Sequence, residues 1–144
     1  MITQIFSAAL FGIEGKLITV EASVVSGLSH FTVVGLPDAR IQEARDRVRS
    51  AIKQSGFPFP YNFRITINLA PSGVPKEGTG FDLPIALAIL HKQLQFKIPE
   101  DAAFIGELAL DGTLRPVRGI ISAARSAYDA GKRMLFVPAG ANAQ

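Results

Sequence analysis

The chain has 144 residues, 48% of them hydrophobic, and a formal net charge of +3. That length and apolar content support one domain with a real core and exclude a disordered tail. There is no cysteine, which excludes disulfides, cysteine-ligated zinc and cysteine nucleophiles, and the two histidines, His30 and His91, are far apart, so no metal site is expected.

No apolar run reaches the roughly 18–20 residues that span a bilayer, and the N-terminus lacks the basic start of a secretory signal. A cytoplasmic location without membrane association is expected. The mild basic excess permits nucleic-acid binding without demanding it.

In chain order, Ile2 to Phe11 reads as a strand. Lys16 to Val25 alternates, with Leu17, Thr19, Glu21 and Ser23 opposing Ile18, Val20, Ala22 and Val24. Gly12 and Gly15 between them predict a hairpin. Phe31 to Val34 is a third short strand, closed by Gly35-Leu36-Pro37. A helix starts at Asp38, with Ile41, Ala44, Val48, Ala51 and Ile52 on one apolar face. Gly56 ends it, and Pro58 and Pro60 prevent its continuation. Phe57, Phe59 and Tyr61 alternate among these prolines and are expected to cover a sheet edge or meet a neighbouring domain. Arg64 to Leu69 is a fourth strand.

The most informative stretch follows, NLAPSGVPKEGTGFDLPIALAIL from Asn68 to Leu90. It joins a strand to an apolar helix through a loop with Gly73, Gly78 and Gly80. Asp82 is placed to cap that helix and Pro84 fits its first turn. The helix, Asp82 to Leu94, is apolar almost all round and is therefore central. Phe104 to Leu110 reads as a strand, and Asp111-Gly112 as a hairpin turn into Leu114 to Val117. Gly119 to Ala130 is a third helix with an Ala-rich face, closed by Gly131, and Met134 to Val137 is a last strand. The order β-β-β-α-β-α-β-β-α-β is that of a mixed α/β domain, a sheet covered by helices. Its span is 1–138; the small residues of 139–144 read as the start of a linker to a further module.

Three segments in order, VVGLPDARIQEARDRVRSAIKQSG, ITINLAPSGVPKEGTGFDLPIALAIL and FIGELALDGTLRPVRGI, resemble the N-terminal domain of magnesium-chelatase-like AAA+ proteins of the ComM/YifB type. The resemblance covers nearly all of the chain. It implies a fold similar to the proteolytic domain of Lon and the C-terminal domain of the RadA recombination protein. It also implies a hexameric, DNA-dependent ATPase parent that drives branch migration in natural transformation. ATP and magnesium would then belong to an AAA+ module absent from this chain. The family name reflects its ATPase module and does not imply porphyrin metallation.

Lon-type peptidases use a Ser–Lys dyad. The resemblance places Gly80 at the serine position, after Pro75-Lys76-Glu77-Gly78, and Ile121 at the lysine position, after Pro116-Val117-Arg118-Gly119. No nucleophile or base remains at the matched positions, so no catalytic residue is expected; Ser72 is nearby but has no matching base. The loop Gly73, Lys76, Gly78, Thr79, Gly80 is a candidate anion site. It is not a Walker A loop, because Thr79-Gly80 stands where that motif carries Lys-Ser/Thr.

Arg40, Arg45, Arg47, Arg49 and Lys53 on the first helix, with Lys76, Arg115 and Arg118, are candidate DNA contacts. Arg45 and Arg49 share a face, and Glu43–Arg47 is an expected i,i+4 ion pair. The helix holds no aromatic residue, which argues against base stacking by it. The resulting expectation is a non-catalytic module of a hexameric DNA motor, aiding ring assembly and guiding DNA. The alternatives are an enzyme using the glycine loop, as peptidase or nucleotide-binding protein, and a pure protein-interaction domain.

Overall fold

The computed structural model describes residues 2–11, 14–76 and 78–140. Gly12 of the expected hairpin, Glu77, and the last four positions of the 139–144 segment lie outside them.

The strands are β1 (Ile2–Phe11), β2 (Glu14–Ser26), β3 (His30–Val34), β4 (Phe63–Ala70), β5 (Ala102–Phe104), β6 (Glu107–Leu108), β7 (Leu114–Arg115) and β8 (Met134–Phe136). The helices are α1 (Asp38–Gln54), α2 (Asp82–Leu94) and α3 (Ile120–Asp129). Six strands form one mixed sheet in the order β3-β4-β2-β1-β5-β8, and β6 and β7 make a separate two-stranded ribbon. The central pairs β1–β2 and β2–β4 are antiparallel; β3–β4, β1–β5 and β5–β8 are parallel. The mixed α/β class is as expected.

Alternation decides which face is core. Ile18, Val20, Ala22 and Val24 of β2 are buried, and the register aligns Ile5, Val20 and Leu69 in one row and Ala22, Ile67 and Val33 in another. A one-residue slip would turn every one of these side chains out of the core. This face packs against α1 and α2, through Val48 and Ile52 from α1 and Ile85 and Ile89 from α2. Fully burying an isoleucine is worth about 1.5–3 kcal/mol. Ala8 points the other way and meets Ala123 of α3, which lies across β1 and β2 on the opposite face.

Two local expectations are corrected. Phe104 to Leu110 is not one strand. Ile105 N–H still donates to Phe136 at 3.0 Å, but Gly106 N–H donates to Gly80 O at 2.9 Å and its own carbonyl accepts from Leu83 N–H at 3.1 Å. The start of α2 takes the backbone groups that a neighbouring strand would need, so the chain leaves the main sheet and re-pairs as β6–β7. Asp82 does not cap α2 either. Phe81 is the N-cap residue, and its ring carries no acceptor for the free N–H groups, while the Asp82 carboxylate is drawn to partners outside its own helix.

Candidate functional site

The loop before α2 and the turn before α3 face each other across a cleft of about 400 Å³. Residues 78–81 form one wall, 116–119 the other, and Ala8, Ala9 and Ile105 line it between them. The fold thus brings together the two segments that the sequence matched to the peptidase motifs. A Cβ built on Gly80 would lie 2.8 Å from Ile105 Cγ1 and 3.6 Å from Val117 Cγ1. A side chain at this position would therefore have to displace the Ile105 side chain. Ile121 is 55% exposed and lines a neighbouring surface pocket instead of the cleft.

Of the candidate anion loop, Gly78, Thr79 and Gly80 line the cleft, and Arg118 stands exposed on the opposite wall. Gly73 lies exposed outside it. Lys76 is only 4% exposed, and its ammonium donates to the Pro71 carbonyl, which closes the loop on itself. Burial pushes the Lys76 ammonium below the ordinary lysine range. Arg115 is exposed on β7, with Glu107 at 3.9 Å.

The five cations of α1 do not share one environment. Arg47 turns inward: its Nε donates to Asp82 Oδ2 at 2.6 Å and a terminal nitrogen to Oδ1 at 3.1 Å. Leu108 N–H adds a third bond to Asp82 Oδ2 at 3.1 Å, so one carboxylate ties α1, α2 and β6 together. Asp82 is 2% exposed. Burial pushes its carboxyl above the ordinary carboxylate range, against the pull of Arg47 and the Leu108 N–H. The hydrogen bond to Asp82 raises the Arg47 guanidinium in turn. The expected Glu43–Arg47 pair exists at 4.0 Å but is secondary to this one.

Arg40 is exposed beside Glu43 at 3.6 Å. Arg45 donates to Phe31 O at 2.8 Å and to the Gln42 side chain. Arg49 lies over the rings of Phe31 and Phe59, at 5.8 and 5.5 Å from their centroids, and Lys53 Nζ is 5.5 Å from the Tyr61 centroid. Phe59 is buried next to β3 at the sheet edge, in line with the edge-covering expectation for the Phe57–Tyr61 segment. The contact of these rings with α1 was not visible in the sequence. Phe31 precedes the helix and Phe59 and Tyr61 follow it, so only the fold makes them neighbours of Arg49 and Lys53.

The sheet topology and the cleft between two glycine-containing turns define a Lon-protease-like α/β domain. The chain aligns with the Lon protease of Chloroflexus aurantiacus at 30% identity over 132 residues, 88% of this chain and 16% of that protein. It belongs to the family described as subunit ChlI of Mg-chelatase, which matches residues 20–141. YifB of Salmonella typhimurium is 47% identical over 133 residues, 91% of this chain and 26% of YifB. The competence protein ComM of Haemophilus influenzae is 42% identical over 140 residues, 96% of this chain and 27% of ComM. The chain thus spans about a quarter of the length of these relatives. No helix among the described residues is long and apolar enough to cross a membrane.

Proposed function

We propose that the chain is the non-catalytic N-terminal module of a hexameric AAA+ motor that moves on DNA, with a role in ring assembly and in guiding the strand. The parent would bind ATP and magnesium in a module beyond this chain and act in branch migration during transformation. Membership of the magnesium-chelatase-like family supports an ATPase parent, and the name of the competence protein ComM supports the DNA role.

The observation that carries the non-catalytic reading is the packing of Gly80. Acyl transfer needs an oxygen nucleophile paired with a base. The nucleophile position is Gly80, with Ile105 packed close against its Cα, and at the base position stands the aliphatic Ile121. The exposed Lys53 and half-exposed Arg49, one turn apart on α1, with the exposed Arg40 nearer its start, offer cations suited to backbone contact without sequence choice.

The test uses the full-length protein. Its ATP hydrolysis is measured with and without DNA, and again after removal of residues 1–138. DNA is expected to accelerate hydrolysis in the intact ring, and removal of the module to weaken that acceleration while basal hydrolysis persists. Equal DNA stimulation of the truncated protein overturns the guiding role. Release of peptides from casein by the intact protein overturns the non-catalytic reading.

A further inference from the structure

α1 has no aromatic residue of its own, yet three rings line up along its cationic side. Phe31 and Phe59 lie 5.9 Å apart and Phe59 and Tyr61 5.4 Å apart, centroid to centroid. Between these rings and the helix opens a pocket of about 430 Å³, walled by His30, Arg45, Arg49, Phe59 and Tyr61. Among the described residues no acidic side chain lines it.

Two of its cations keep a nitrogen without a hydrogen-bond acceptor among the described residues. Arg45 Nε is buried without an acceptor among the described residues. Arg49 makes no hydrogen bond among them; its nearest carboxylate, Asp46, is 4.0 Å away and already accepts from Gln42 at 2.8 Å. The inner ring, Phe59, is 7% exposed, whereas Tyr61 at the mouth is 46% exposed. The half-exposed Arg49 beside an exposed ring matches the two halves of a nucleotide, its phosphate and its base.

We propose that this pocket is a single-stranded nucleic-acid subsite: one unpaired base stacks on the face of Tyr61 away from Lys53 while Arg49 holds the adjoining phosphate. This rests on the reading that the parent works on DNA, and sharpens it to strand form and place. Duplex DNA covers its base faces by stacking and offers only backbone to such a pocket. An unpaired strand offers both groups, and ring stacking tolerates any base.

The chain has two tyrosines and no tryptophan, which supplies the readout. Tyr128 is 75% exposed on α3, so Tyr128→Phe leaves Tyr61 as the sole strong intrinsic fluorophore in an intact fold. Titration of that variant with a short oligodeoxythymidine is expected to quench Tyr61 saturably. In anisotropy, Tyr61→Leu is expected to weaken oligodeoxythymidine binding by about fivefold or more, Tyr61→Phe to restore it, and duplex affinity to stay unchanged in both. Equal binding of single strand and duplex with no change in Tyr61 emission overturns the subsite and leaves the DNA role standing. Displacement of the oligonucleotide from Tyr61 by polyglutamate at matched charge concentration overturns it in favour of an acidic protein partner. Failure of the chain to bind either form of DNA overturns both the subsite and DNA contact by this domain.

Discussion

Asp82 is the first residue of α2, where a carboxylate ordinarily serves the free N–H groups of its own helix. Its carboxylate nonetheless serves Arg47 and the Leu108 N–H, because a charge that is 2% exposed needs a full set of donors and its own helix offers weaker ones. Removing one partner leaves the other buried and unpaired, so Arg47→Met is expected to cost about 3–5 kcal/mol in urea unfolding. The double variant Arg47→Met, Asp82→Leu is expected to recover most of that loss, since no charge is then stranded. The pH dependence has a definite sign. Burial holds the folded Asp82 carboxyl above its unfolded value, so its favourable contribution is complete below the unfolded value and fades as pH rises through the folded one. Arg47→Met removes the group that opposes this shift. Its stability is therefore expected to fall more steeply than the parent's between about pH 4 and pH 8; parallel curves would mean that Arg47 does not hold the carboxylate in its ionised form.

At the scale of elements, the loop between β4 and α2 is held by Lys76 rather than by the glycines alone. Its ammonium, bound to the Pro71 carbonyl, is buried and lies below the ordinary lysine range. A depressed folded value means that the neutral amine is favoured by folding. The corresponding stability is present above the unfolded lysine value and is lost as pH falls through the folded one. The wild-type urea midpoint is accordingly expected to rise as pH approaches the ordinary lysine value from below, and Lys76→Met to flatten that rise. An unchanged slope would place the ammonium in solvent.

The elements themselves were legible because their signals are local. The alternation from Ile18 to Val24 predicts β2, and the apolar spacing from Ile41 to Ile52 predicts α1. The β5–β6 break was not legible, because Gly106 is diverted by α2, which lies more than ten residues upstream. The facing of 78–81 and 116–119 was suggested only by the peptidase resemblance. The rings beside Arg49 were missed because they arrive from both sides of α1 in sequence.

For the molecule as a whole, net charge says less than how the cations of α1 are distributed. Arg47 is bound inward to Asp82, whereas Arg40 and Lys53 are exposed and Arg49 is half-exposed. A ring that tracks DNA of any sequence gains affinity from such residues by releasing counterions, and each phosphate contact steepens the salt dependence by about 0.9 for duplex or 0.7 for a single strand. Replacing Arg40, Arg49 and Lys53 together by glutamine in the full-length protein is expected to lower the slope of log affinity against log salt by about 2–3 per engaged copy. Arg47→Met serves as the internal control: it removes one positive charge from the same helix, lowers stability, and is expected to leave the slope unchanged. If the triple variant keeps the parental slope, α1 faces a neighbouring subunit or solvent rather than DNA. If Arg47→Met flattens the slope by about a third as much as the triple variant does, as its one charge in three would, DNA is sensing net charge at a distance and no particular residues of the helix.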